Sequence, residues 1–165
     1  MRAWGFSAMI ASAALMTSGC GSKSSKLPDP VPVSGTVTLD GKPLANAVVY
    51  FRPEGDTKGN GATGTTDSNG KYELVTRIGD TTKTGAIPGN YRVWFSQMVG
   101  PDGKPVSVDS DTPPADLGAR EALPPHLSDA TQSQEKAQVG ESGGSFDFKL
   151  SRKKKAFGAG GVMPR

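Results

Sequence analysis

A single cysteine, at position 20, and a single histidine, at position 126, are all that 165 residues hold of either type. No disulfide can close within the chain, and a Cys/His zinc cluster lacks the ligands it takes. Aromatic residues make up 7% of the chain, so any core is modest. No apolar run reaches the roughly 20 residues that a membrane-crossing helix needs. Inside the body no stretch sustains a 3.6-residue period. A dominant charge is missing as well. The formal net is +3, but Arg2 and the five cations Arg152, Lys153, Lys154, Lys155 and Arg165 stand in terminal stretches without acids, which leaves the body between them at −3. The basic balance belongs to the ends and not to a binding face, which argues against nucleic acid as a partner.

What is present begins with the plan of an export signal. Arg2 is followed by "AWGFSAMIASAALM", apolar apart from two serines, and then by the small residues Thr17, Ser18 and Gly19. A charged start, a short apolar stretch and small residues at the cleavage point form the signal-peptide pattern. With Cys20 next, the segment resembles a bacterial lipoprotein signal, although Thr17 stands where such signals usually have leucine. That resemblance implies cleavage before Cys20, lipid attachment to Cys20, and a protein exported and anchored to the cell envelope, on its periplasmic or outer-membrane face. It also gives the lone cysteine a role. "GSKSSKLPDPVP" then reads as a tether, flexible through its glycine and serines and stiffened by its prolines.

From Val31 the period changes to two. In "VPVSGTVTL", Val33, Val37 and Leu39 fall on one face, and in "ANAVVYFRP" Ala47, Val49 and Phe51 do. "DGKP" between them is a turn signal. A weak strand "ATGTT" follows, then the turn "DSNG", then "KYELVT" with Tyr72 and Leu74 alternating with Lys71 and Glu73. "IPGNYRVWFSQ" sets Tyr91, Val93 and Phe95 on one face, and "SFDFKLS" sets Phe146, Phe148 and Leu150. Short strands with frequent turns predict an all-β fold of about seven strands. The inward set Val33, Val37, Leu39, Val49, Phe51, Tyr72, Leu74, Tyr91, Val93, Phe95, Phe146, Phe148 and Leu150 should meet between two sheets about 10 Å apart.

"GTVTLDGKPLANAVVYFRPEG", "ATGTTDSNGKYEL" and "AIPGNYRVWF" resemble, in order, the pieces of carboxypeptidase regulatory-like, or transthyretin-like, domains of bacterial envelope lipoproteins. The resemblance implies a Greek-key β-sandwich of transthyretin (prealbumin) type with one long irregular loop, 98–144. It places "LPPHLSD" and "SFDFKL" among the closing elements, while "QSQEKAQV" departs from the hydrophobic strand that members of the family often carry there. The organisation expected is a lipoprotein signal peptide over 1–19, a tether over 20–30, the β-sandwich over 31–151 and a disordered basic tail over 152–165.

Family and fold do not give function, so sites are argued separately. "DSNG" at Asp67–Gly70 resembles the start of a calcium loop, but the twelfth position, where an EF-hand carries glutamate, is Ile78. A hairpin turn with Asn69 and Gly70 left-handed explains it better. Asp109, Asp111 and Asp116 form an acidic loop expected to stay solvated. Two enzyme classes of similar architecture, hydroxyisourate hydrolases and intradiol dioxygenases, need more histidines than His126. A serine hydrolase needs His126 beside a serine and an acid, and no nucleophile elbow is expected. No catalytic residue, metal ligand or cofactor is therefore expected. Tyr50 and Trp94 fall opposite the predicted core, either as ligand contacts for a glycan or peptide or covered by the segment from Met98 to Gly144, the reading preferred here. The function expected is that of a non-catalytic structural or binding module of the envelope. Its partners would be the membrane, through lipid on Cys20, and an envelope protein or glycan.

Overall fold

Alternation in "VSGTVTL" lays Val33, Val37 and Leu39 inward on strand β1 (Val33–Leu39), and all three are buried. In the computed structural model, which describes residues 27–106 and 112–154, β1 is the centre of one sheet of a β-sandwich. The expectations for Cys20, for the segments 1–19 and 20–26, for Asp109 and Asp111, and for tail residues 155–165 lie outside the described residues. No helix among the described residues is long and apolar enough to cross a membrane.

Asp40 and Gly41 follow β1 with φ of 50° and 80°, the double left-handed pair of a two-residue hairpin turn. That turn folds β2 (Lys42–Pro43) back onto Thr38 and Leu39. β3 (Val48–Glu54) begins the second sheet and pairs antiparallel with β4 (Ala62–Thr65). "KYELVT" then changes sheets in midcourse. β5 (Lys71–Glu73) pairs with β1, whereas β6 (Val75–Ile78) pairs with β4, and the buried Leu74 is the corner. β7 (Thr81–Thr84) closes on β6 as an exposed edge. β8 (Gly89–Ser96) returns beside β3 over seven register pairs, from Val48 with Ser96 to Glu54 with Asn90.

The stretch 98–144, expected to be one irregular loop, carries elements of its own. β9 (Met98–Val99) pairs with β10 (Arg120–Glu121). One helical turn, α1 (Pro125–Ser128), starts at a proline, where a missing N–H costs nothing. β11 (Glu135–Val139) then adds to β8 as a full member of the second sheet, and buries Ala137 and Val139. Leu123 and Leu127 also enter the core, so this segment fills the sandwich. The second sheet therefore runs β11-β8-β3-β4-β6-β7.

"SFDFKLS", expected as one strand, is two: β12 (Gly144–Ser145) and β13 (Phe148–Leu150), both parallel to β1. The chain steps out at Phe146–Asp147, so Phe146 is only half-buried, a correction to its expected place in the core. Phe148 is buried as expected, edge-on to Phe95 at 5.2 Å and to Phe51 at 6.2 Å. The other members of the expected inward set are buried, together with Leu44, Ala47, Ala62, Ala86, Ile87 and those from 98–144. Thirteen short strands occur among the described residues instead of about seven, because "KYELVT" and "SFDFKLS" each divide in two and β2, β7, β9, β10 and β11 are additional. Gly35 shows how close the layers come. A Cβ there would lie 1.9 Å from the Phe146 carbonyl oxygen.

Candidate functional site

Tyr50 on β3 and Trp94 on β8 are register partners, and their side chains point away from the core. Their rings stack at 5.0 Å between centroids with planes 6° apart. Rings so close and so parallel must lie face to face, because coplanar rings would clash at that distance. Both residues are half-buried. Burial first, and the negative charge of Glu121 second, push the Tyr50 hydroxyl above the ordinary phenol value. It is therefore a protonated donor at neutral pH.

The stack forms one wall of an open cleft on the outer face of the second sheet. The cleft is lined from β3 by Tyr50 and Arg52, from β4 and the turn before it by Asn60, Gly61 and Thr63, and from β6 by Val75 and Arg77. Tyr50 faces Thr63 across the ladder, and Thr63 faces Val75. Small residues on β4 thus leave a trough between larger ones on β3 and β6, whose backbones lie about 10 Å apart, two strand spacings. None of its lining residues comes from the described part of 98–144, but Glu121 of that segment accepts from Ser96 at 2.6 Å and its charge reaches the Tyr50 hydroxyl, so the segment comes up to the edge of the stack. The apolar residues Leu123, Leu127, Ala137 and Val139 of the segment pack into the core, and β11 extends the sheet beside β8.

Charges around the cleft are unequal in their pairing. Glu54 accepts from Arg92 at 2.7 Å and lies 3.1 Å from the Lys136 ammonium, and both contacts hold its carboxyl below the usual carboxylate range. Arg52 and Arg77 make no ion pair among the described residues. β3 and β6 both run antiparallel to β4 and therefore run the same way. Arg52, two residues past Tyr50, and Arg77, two residues past Val75, consequently flank the same end of the trough. Sequence reasoning picked out Tyr50 and Trp94 from their parity. It missed both arginines, although their spacing from Tyr50 and Val75 by two carried the same signal.

Elsewhere the candidates are structural. His126 sits on α1, and its Nε2 lies 3.0 Å from the Ser151 carbonyl oxygen. A carbonyl only accepts, so this nitrogen carries the hydrogen and points at backbone. Gly140-Glu141-Ser142-Gly143-Gly144 does spell G-x-S-x-G, contrary to the expectation that no elbow pattern occurs. It is a tight turn between strands, with Gly143 donating to the Gly140 carbonyl, and not a strand-to-helix elbow. In the "DSNG" turn the Asp67 carboxylate accepts from the backbone N–H of Asn69 at 2.8 Å and of Lys71 at 2.9 Å. Gly70 is left-handed at φ 74°, but Asn69 is not, and the turn leads from one sheet to the other instead of closing a hairpin. Asp116 is exposed in a turn. No group of three potential metal ligands occurs among the described residues.

No family model matches the chain, and no curated protein sequence matches it. Among solved structures the chain is similar to a 9R-lipoxygenase from Cyanothece PCC8801, at 19% identity over 74% of this chain and 16% of that one, with a TM-score of 0.34. At that score the likeness carries no argument.

Proposed function

We propose that this protein is a non-catalytic binding module of the bacterial cell envelope, held there by lipid on Cys20, with the outer face of the second sheet as its ligand surface. The observation that carries the reading is the Tyr50–Trp94 stack lining an open cleft. A half-exposed aromatic wall beside hydrogen-bonding groups is what sugar rings and chain segments pack against. The export signal, Cys20 and the tether support the location. The strand and turn motifs, in order from Val31 to Gln97, support kinship with carboxypeptidase regulatory-like domains. Absence of catalysis is supported by His126, whose ring hydrogen is directed at a backbone carbonyl, and by the lack of a second histidine.

Co-sedimentation with purified cell-envelope polysaccharide tests the reading. Wild-type protein is expected in the pellet, and Trp94→Ala in the supernatant with its β-sheet circular dichroism intact. Retention of Trp94→Ala equal to wild type, or turnover of an ester or peptide abolished by His126→Ala, would overturn it.

A further inference from the structure

We propose that the cleft takes an acidic saccharide, a chain bearing uronic carboxylates, with Tyr50 and Trp94 packing a sugar face and Arg52 and Arg77 gripping a carboxylate. This deepens the reading of the outer face as a ligand surface and rests on it.

Three observations converge on that class. The wall is a stacked aromatic pair with a protonated hydroxyl, suited to the apolar face and the hydroxyls of a sugar ring. The far end is flanked from both sides by guanidiniums that have no carboxylate partner among the described residues, while the nearby Glu54 is already engaged by Arg92 and Lys136. Guanidinium forks match carboxylates in bidentate geometry. Asn60 adds an amide at the same end. The third observation concerns the floor. β4 lies inside the sheet, between β3, with which it shares four register pairs, and β6, which it meets at Thr63 and Val75. A peptide held in extended form gains most from adding to an open sheet edge, and this trough offers none. Recognition in the trough does not run along a free strand edge, which suits a saccharide better than an extended acidic peptide.

The test is calorimetric titration of the full-length protein in detergent at low salt. The probes are hexamers of galacturonate, mannuronate and glucuronate, the methyl ester of each, and hexaglutamate. At least one uronate hexamer is expected to bind at least about tenfold more tightly than its neutral ester and than hexaglutamate. Arg52→Gln and Arg77→Gln should each cut the acid-to-ester ratio by roughly three- to tenfold, weakening acid binding more than ester binding. Trp94→Ala should weaken acid and ester together. Equal affinity for acid and ester, still dependent on Trp94, overturns the acidic class and leaves a neutral-glycan surface standing. Preference for hexaglutamate overturns it in favour of an acidic peptide. Absence of binding to every probe overturns it too, and the co-sedimentation result then shows whether the ligand surface falls with it.

Discussion

The carboxylate of Asp147 accepts two hydrogen bonds from Thr36, one from its backbone N–H at 2.8 Å and one from its hydroxyl at 2.6 Å. Thr36 lies in the first strand and Asp147 in the break between the last two, so a side chain supplies the ladder bond that the stepped-out backbone does not. This pairing joins the ends of the domain across 111 positions. It also explains why the alternation of "SFDFKLS" survives in Phe148 and Leu150 while the strand itself is interrupted.

Asp147 should make stability pH-dependent. Its two bonds to Thr36 hold its carboxyl below the ordinary value of 3.8. A lowered folded value means that the stabilisation is fully present above the unfolded value, about 3.9, and is lost as pH falls through the folded one. Asp147→Ala should therefore melt below wild type at pH 7, and the gap should narrow on acidification below about pH 4. Asp40, Glu54, Asp67 and Asp129 are shifted the same way, so wild type itself loses stability in that window. Melting temperatures measured from pH 2 to 8 for both proteins check this. A constant gap across the series would contradict it.

Phe148 and Phe146 should separate in their energetic weight. Phe148 is 6% exposed and touches Phe51, Tyr72 and Phe95, so Phe148→Ala should cost about 3–5 kcal/mol. Phe146 is half-buried and contacts Phe51 edge-on at 6.2 Å, so Phe146→Ala should cost about half as much. Urea denaturation of the two variants decides. Equal losses would mean that the step at Phe146–Asp147 does not set burial.

The turn at Asp67–Gly70 should work without calcium. Its carboxylate is occupied by the N–H groups of Asn69 and Lys71, and an asparagine oxygen can accept from the same donors. Asp67→Asn should keep the melting temperature close to wild type, whereas Asp67→Ala should lower it. Calorimetry with calcium should show no micromolar binding heat for any of the three. A calcium-dependent rise in melting temperature that vanishes in Asp67→Asn would restore the cation reading.

The inward residues were legible because a strand's period of two sorts them without knowledge of partners, and Val33, Val49, Phe51, Tyr91, Val93 and Phe95 needed nothing more. Pairing was less legible. Nothing local in "KYELVT" says that Tyr72 belongs to one sheet and Val75 to the other, because both halves alternate alike and Leu74 is buried either way. β11 was hidden for a different reason. "EKAQV" offers only Ala137 and Val139 to the core, and its strand form comes from pairing with β8, a tertiary effect that overrides weak propensity. Half of the candidate site followed from the parity of Tyr50 and Trp94. The trough did not, because it depends on which strand lies between β3 and β6 and on the small residues that strand presents.

Cys20 carries the last prediction. If acyl chains attach there, burial contributes about 0.8 kcal/mol per methylene, and stable anchoring takes more than one chain. An anchor of that kind resists salt, whereas one made only by Arg152–Lys155 and Arg165 would weaken as ionic strength rises. The protein should therefore stay with the membrane fraction through high-salt washes, begin at Cys20, and take up labelled palmitate in its native host. Cys20→Ser should abolish the label and yield a soluble or uncleaved form. Truncation after Arg152 should change neither label nor fractionation. Anchoring is also what a glycan-binding module would need, since lipid on Cys20 would hold the cleft near envelope polymers. Unlabelled wild type that fractionates like Cys20→Ser would make the cysteine incidental and the protein a secreted one, and would leave the chemistry of the Tyr50–Trp94 cleft to be judged by its own titrations.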